Sequence, residues 1–263
     1  NHEMLFTKTW PIKYTNWYHL QAEVYSGTIS LWMNQLFFGE VRDNRIERYT
    51  WNGSALVSPQ LILPMPARPA FVHIGGVITF GPDGMLYGIT GDVGHSGKLQ
   101  NNPPGPDPDT TSCLVRIRDD GSPPGDNPFA AMGGAMQFVY GYGIRNSFGF
   151  EFDPLTDVLW QTENGPNLYD EINRFPPGFN SGWVQIMGPV ARDPEGTSTL
   201  WVAPGSQYVD PEFSWLDTTA PAGIHFLESD SLGVQYRNDV FVGSYNDRAI
   251  FHFELDAGRT HLV

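Results

Sequence analysis

The chain of 263 residues has almost no thiol, little positive charge and no long apolar run. Its one cysteine, Cys113, excludes an intramolecular disulfide and a cysteine-rich zinc site. Basic residues number 15 against 29 acidic ones, a formal charge of −14. A phosphate backbone asks for a basic patch, so nucleic acid is excluded as a partner. The same acidic excess keeps a surface soluble, and it also suits hard cations that seek oxygen ligands. No stretch reaches the roughly 18 apolar residues of a membrane-spanning helix. Apolar residues do not recur at the helical period over any long window either, so long helices are not expected. The chain opens at Asn1 rather than Met and shows no leader, which reads as a mature or trimmed product.

Glycine, proline and aromatic residues are abundant, with 29 Gly, 22 Pro and 14% aromatics. That balance favours strands joined by frequent turns. A two-strand unit recurs along the chain. Its first strand is apolar and aromatic, at 35–40, 85–90, 158–163 and 239–244. Its second has the form apolar-x-Arg/His-apolar, at 46–49, 114–117, 172–175 and 250–253. A turn closes each unit at Gly53, Gly121, Gly178 and Gly258. The first strands are 50 residues apart from 36 to 86, 73 from 86 to 159 and 81 from 159 to 240. A four-stranded propeller blade takes about 40–50 residues, so the longer gaps hold loops such as 97–111 and 119–134. The fixed order within each unit and its length favour an all-β propeller over a β-sandwich of similar hairpins. The expectation is one propeller domain over 1–263, with residues 1–34 a divergent or partial first blade.

Within this pattern, residues 73–92 read as strand, turn, strand. Gly81-Pro82-Asp83-Gly84 carries the turn, and the hairpin returns its two ends to one rim. His73 stands at one end and Asp92 at the other. A neutral imidazole can accept a proton, and a neighbouring carboxylate can orient it. The plainer readings are a structural His73 and an Asp92 that caps the loop at Val93-Gly94. Arg145 and Asn146, in Gly143-Ile144-Arg145-Asn146-Ser147-Phe148-Gly149, suit an anionic or carbonyl-rich ligand, or else Arg145 pairs with a surface acid. The stretch 162–173 holds Glu163, Asp170 and Glu171 with a Gly165-Pro166 turn. Outward carbonyls there, with Asp170 nearby, offer oxygens of the kind Ca²⁺ prefers, and the alternative is a solvated acidic loop.

Taken in order, these segments resemble the soluble glucose/sorbosone dehydrogenase family, which includes the quinoprotein aldose sugar dehydrogenases. The matching text runs from His73-x-Gly-Gly through Phe80-Gly-Pro-Asp-Gly, Gly91-Asp92 and Gln100. It continues with Tyr142-Gly-Ile-Arg-Asn-Ser-Phe-Gly149, Glu163-Asn-Gly-Pro166, Asp170-Glu-Ile-Asn173 and Gly178-Phe-Asn-Ser-Gly-Trp183. The resemblance is strong over about 70–185, loose over 205–255 and poor over 1–34. It implies a six-bladed β-propeller, where four clear units plus a ragged start are counted. It also implies pyrroloquinoline quinone (PQQ) with Ca²⁺ as cofactors, an aldose sugar as substrate, an external electron acceptor and a periplasmic or extracellular location. The implied reaction oxidises the sugar C1 hydroxyl to a lactone, with His73 as base and Asp92 as its partner. Gln100, Arg145 and Asn146 fall at cofactor-binding positions, and Gly165, Pro166 and Asp170 at or beside the metal. The family's cofactor-binding lysine falls on Asn246, with Arg248 two residues on. Two other functions fit a similar propeller: a non-catalytic extracellular binding platform, and a Ca²⁺-dependent lactonase in which Glu163, Asn164 and Asn246 converge on one ion.

Overall fold

The computed structural model describes residues 20–25, 28–37, 40–52, 54–66 and 72–263. The first sheet is a meander of β1 (Leu20–Tyr25), β2 (Thr28–Phe37), β3 (Glu40–Trp51) and β4 (Leu56–Met65), each antiparallel to the next. The second follows the same plan with β5 (Ile78–Phe80), β6 (Leu86–Thr90), β7 (Cys113–Ile117) and β8 (Val139–Tyr142). The third opens with β9 (Gly149–Phe152), β10 (Leu159–Glu163) and β11 (Leu168–Arg174). The chain then lends β12 (Phe179–Asn180) and β13 (Gln207–Tyr208) to the outer edge of the second sheet, both parallel. It returns to complete the third sheet with β14 (Phe213–Asp217). A fourth sheet follows, of β15 (Pro221–Phe226), β16 (Val240–Ser244) and β17 (Ala249–Phe253). Helical turns among the described residues are short 3-10 segments of at most five residues.

Face-to-face packing of successive sheets makes this a β-propeller. Side chains on a strand alternate between its two faces, so neighbours serve different interfaces. Leu86 packs with Ile46, Leu63 and Val115 between the first and second sheets. Tyr87 packs with Leu114, Phe150 and Leu159 between the second and third. Trp160 packs with Ile172, Phe226 and Val242 between the third and fourth. All residues of β6, β7 and β10 are buried. Each large apolar side chain so buried contributes about 1.5–3 kcal/mol.

The repeat places an aromatic opposite an arginine or histidine in three of the sheets: Tyr87 faces Arg116, Trp160 faces Arg174 and Phe241 faces His252. Those side chains are tied to carboxylates, Arg116 to Asp83 at 2.8 Å, Arg174 to Glu212 at 3.5 Å and His252 to Asp239 at 2.8 Å. The first unit needs correction. The partner of 46–49 is the stretch 29–32, with Trp32 opposite Ile46 and Ile29 opposite Tyr49. Gln35 and Leu36 lie near the end of β2, and Glu40 opens the antiparallel β3, so Glu40 does not share a strand with Gln35 and Leu36. Leu36, Phe37 and Phe38 form the denser apolar cluster, and an alignment on that cluster slides past the true register. Residues 20–34, expected to be ragged, supply β1 and most of β2 of a regular sheet. The expectation for residues 1–19, and for the turn glycine Gly53, lies outside the described residues.

Candidate active site

The hairpin that carries the site folds as its turn chemistry dictates. Gly84 N–H donates to Gly81 O at 2.9 Å, and Met85 N–H donates to the Asp83 carboxylate at 3.0 Å. Strands β5 and β6 then pair from Phe80–Leu86 to Ile78–Gly88. The chain before β5 continues along β6, with Gly76 N–H donating to Ile89 O at 3.0 Å. His73 precedes it with a left-handed backbone, φ 53°.

At the rim the two ends meet. His73 Nδ1 lies 2.7 Å from Asp92 Oδ1. The same oxygen accepts from Gly94 N–H at 2.8 Å, so Asp92 both caps its loop and holds the imidazole. Its other oxygen, Oδ2, accepts from the Trp183 indole N–H at 2.9 Å. The His73 side chain is 23% exposed and that of Asp92 6%, so the imidazole is the partner a solute can reach. Asp92 N–H donates to Arg145 O at 2.9 Å, which places the end of β8 alongside the hairpin. The residue between, Gly91, has no room for a side chain: a Cβ there would collide with the backbone oxygens of both His73 and Arg145.

Arg145 reaches across to the third sheet. Its Nη1 donates to Asn164 O at 2.8 Å and Gly165 O at 3.0 Å, and its guanidinium lies 5.3 Å from the Trp183 ring centroid. Burial pulls this guanidinium below its usual value, while Asp92, Glu163 and Asp170 pull the other way. Its Nε is buried without a partner, as is Asn146 Oδ1. Asp170 is a loop holder. Its Oδ1 accepts from Gly165 N–H at 2.7 Å, and its Oδ2 accepts from Thr219 and Ala220 N–H, each at 2.7 Å. Burial raises its carboxyl, and the three donors oppose that.

Beneath Arg145 sits a pair of buried acids. Glu163 and Glu171 face each other across β10 and β11 and are 0% and 1% exposed. Glu163 accepts from Arg145 N–H at 2.6 Å and from Ser181 Oγ–H at 2.7 Å. Glu171 accepts from Gly188 N–H at 2.6 Å and from Asn173 Nδ2 at 3.0 Å. Burial pushes both carboxyls up, Glu163 to about 7 and Glu171 to about 8, with Glu163's charge adding to the rise at Glu171. A carboxyl raised in the folded state binds protons more tightly there than in the unfolded chain. This pair therefore stabilises fully below the ordinary glutamate range, and its contribution is lost as pH climbs through about 7 to 8. Glu163→Gln keeps both contacts, since the amide oxygen accepts from Arg145 N–H and the amide nitrogen donates to Ser181. Its thermal midpoint should match the parent near pH 4.5 and exceed it at pH 8.5, by a stability gain of about 2 kcal/mol. Parallel pH curves for the two proteins would refute the assignment.

The other expected residues separate. Gln100 is buried and its amide is spent, accepting from Gly97 N–H at 2.7 Å and donating to Thr111 Oγ at 2.8 Å. Asn246 lies in the β16–β17 turn, donating from Nδ2 to Thr218 O at 3.0 Å, beside the segment that Asp170 grips. Exposed Arg248 shares that turn, and the two line a separate depression of 410 Å³ with Ser244 and Tyr245. Glu163, Asn164 and Asn246 each have a partner within the protein: Glu163 accepts from Ser181, Asn164 Nδ2 donates to Pro221 O at 2.9 Å and Asn246 donates to Thr218 O. Trp183 was not singled out in the sequence. It stands 91 positions from Asp92, and the Gly-Trp pair after Asn180-Ser181 was its only signal.

Comparisons with known proteins identify the family of the chain. Residues 32–262 match the family model described as Glucose / Sorbosone dehydrogenase. The aldose sugar dehydrogenase YliI of Escherichia coli is 32% identical over 74% of this chain and 51% of its own length. The quinoprotein glucose dehydrogenase B of Acinetobacter calcoaceticus is 34% identical over 54% of this chain and 32% of its own. The PQQ-bound form of aldose sugar dehydrogenase from Streptomyces coelicolor superposes with a TM-score of 0.66 at 26% identity, over 90% of this chain and 60% of that one. The chain thus spans about half the length of the E. coli relative. With the model matched from the first sheet to beyond the last strand, the chain belongs to the glucose/sorbosone dehydrogenase family.

Proposed function

We propose that this chain carries the catalytic rim of a PQQ-dependent aldose dehydrogenase, in one propeller domain over 1–263. The observation that carries the reading is the His73–Asp92 pair at 2.7 Å, reachable through His73 and set beside Arg145. Arg145 Nε and Asn146 Oδ1 are a buried donor and a buried acceptor without partners, on adjacent residues. A planar ligand rich in carbonyl and carboxylate oxygens, with a ring N–H, satisfies both. PQQ fits that description, and Arg145 and Asn146 would hold it.

Ca²⁺ fits less well. Gly165 O already accepts from the Arg145 guanidinium at 3.0 Å, and both Asp170 oxygens are taken by backbone N–H groups. Among the described residues no three His, Cys, Asp or Glu side chains gather to hold a metal.

In the proposed reaction, His73 donates Nδ1–H to Asp92, which leaves Nε2 with its lone pair toward the rim. Nε2 takes the proton of the sugar C1 hydroxyl as the C1–H bond gives up a hydride, and C1 becomes a lactone carbonyl. PQQ, when bound, supplies the two-electron acceptor for that hydride. Asp92 fixes the tautomer and steadies the imidazolium that forms. An external acceptor then removes the electrons, in the periplasmic or extracellular compartment that the family resemblance implies.

The test is aldose-dependent dye reduction by the purified protein, with and without PQQ, across a range of Ca²⁺. Reduction that requires PQQ is the expected result. Failure to bind PQQ at every Ca²⁺ level would defeat the reading and leave the binding platform. Lactone hydrolysis without PQQ would support the lactonase.

A further inference from the structure

Trp183 touches both halves of the site, and no role given above uses it. Its indole N–H donates to Asp92 Oδ2, and its ring lies beside the Arg145 guanidinium. Its own backbone is pinned. Trp183 N–H donates to Gly143 O at 3.1 Å, Asn101 Nδ2 donates to Trp183 O at 2.9 Å, and Val184 N–H donates to Gln100 O at 2.9 Å. This also gives Gln100 a place, bracing the Trp183 segment from behind.

The two oxygens of Asp92 serve different masters. Oδ1 takes His73 and Gly94, and Oδ2 takes Trp183. The terminal torsion of an aspartate is broad and roughly two-fold, so a carboxylate held at one oxygen can still turn. A donor on the second oxygen fixes the plane. On its other side, the indole face attracts the guanidinium by cation–π contact, which limits where the long Arg145 side chain can lie.

We propose that Trp183 is the positioning residue of this site: its N–H sets the carboxylate that orients His73, and its ring sets Arg145. One rigid side chain thereby holds the base and the ligand-facing cation in a single geometry. The kinetic part of the test rests on the dehydrogenase reading, and the spectroscopic part does not.

In the cofactor-free protein, the proton between His73 Nδ1 and Asp92 should give a downfield exchangeable resonance, assigned by its loss in His73→Asn. Trp183→Phe should move that resonance, because Asp92 then has one donor fewer. An unmoved resonance would overturn the proposal. In the PQQ-loaded protein, Trp183→Phe should lower kcat about tenfold, the scale of one charge-assisted hydrogen bond, with KM and PQQ affinity retained. Trp183→Leu, which also removes the ring face, should match that loss and weaken PQQ binding about tenfold as well. Equal loss of kcat and PQQ affinity in both variants would mark Trp183 as mere packing and overturn the proposal. If the parent neither binds PQQ nor oxidises sugar, the dehydrogenase reading falls and the resonance alone decides.

Discussion

His73→Asn should lower kcat for aldose oxidation by two to four orders of magnitude while PQQ affinity stays at the parent level. The side chain offers one ring nitrogen to Asp92 at 2.7 Å, and only the other is free to take a proton. An amide has no basic lone pair to replace it. Asparagine is the substitution to make, because His73 holds a left-handed backbone at φ 53° and asparagine tolerates that region better than most residues. The fold should therefore survive, and the loss should fall on the chemical step. Arg145 and Asn146, assigned here to the cofactor, are untouched. Steady-state rates with the PQQ-loaded variant check the expectation, and a kcat within tenfold of the parent would remove His73 from the role of base.

Gly91→Ala should cost about 3 kcal/mol of stability and lower the thermal midpoint by about 6–12 °C. The added methyl meets the carbonyl oxygens of His73 and Arg145, which are main-chain atoms and cannot rotate aside. The pairing of Asp92 N–H with Arg145 O is the bond most directly pried open. PQQ binding should fall with it, since His73 and Arg145 are driven apart at the rim. Gly84→Ala is the control. Its φ of 75° disfavours a side chain, a strain Gly91 does not have, but nothing stands within 4 Å of the new Cβ, so the cost should stay near 1 kcal/mol. Thermal melts of the two variants decide the matter. Equal losses would mean that the close approach at the rim adds nothing to the cost at Gly91.

Much of the fold was legible because its signals are local. The Gly81–Gly84 turn fixes the hairpin register within a few residues, and that register alone brings His73 back to Asp92. The three later units were legible because an aromatic and an Arg or His held by a carboxylate sit opposite each other in each. The first unit was misplaced because several apolar residues in a row satisfy more than one register, and only the pairing with β3 chooses between them. Trp183 and Ser181 were missed for a different reason. Their partners, Asp92 and Glu163, lie on other segments, 91 and 18 positions away, and no spacing rule links them. Gln100 and Asp170 were placed at or beside the ligands by the family resemblance, and the structure shows each bracing its own loop through hydrogen bonds within the protein. Composition marks Glu163 and Glu171 as acidic residues of a loop, yet alternation on β10 and β11 turns both inward.

The three hydrogen bonds of Asp170 also bear on the order in which the molecule assembles. They span five positions to Gly165 but 49 and 50 to Thr219 and Ala220, and Asp92 waits on a tryptophan 91 positions away. Each hairpin can form from its own turn, whereas these ties must first offset the entropy of closing long loops. The rim is then complete only after the sheets have docked on one another. A refolding chain would regain its strands before it regained a place for ligand, and ligand capture would report the final closure of the structure.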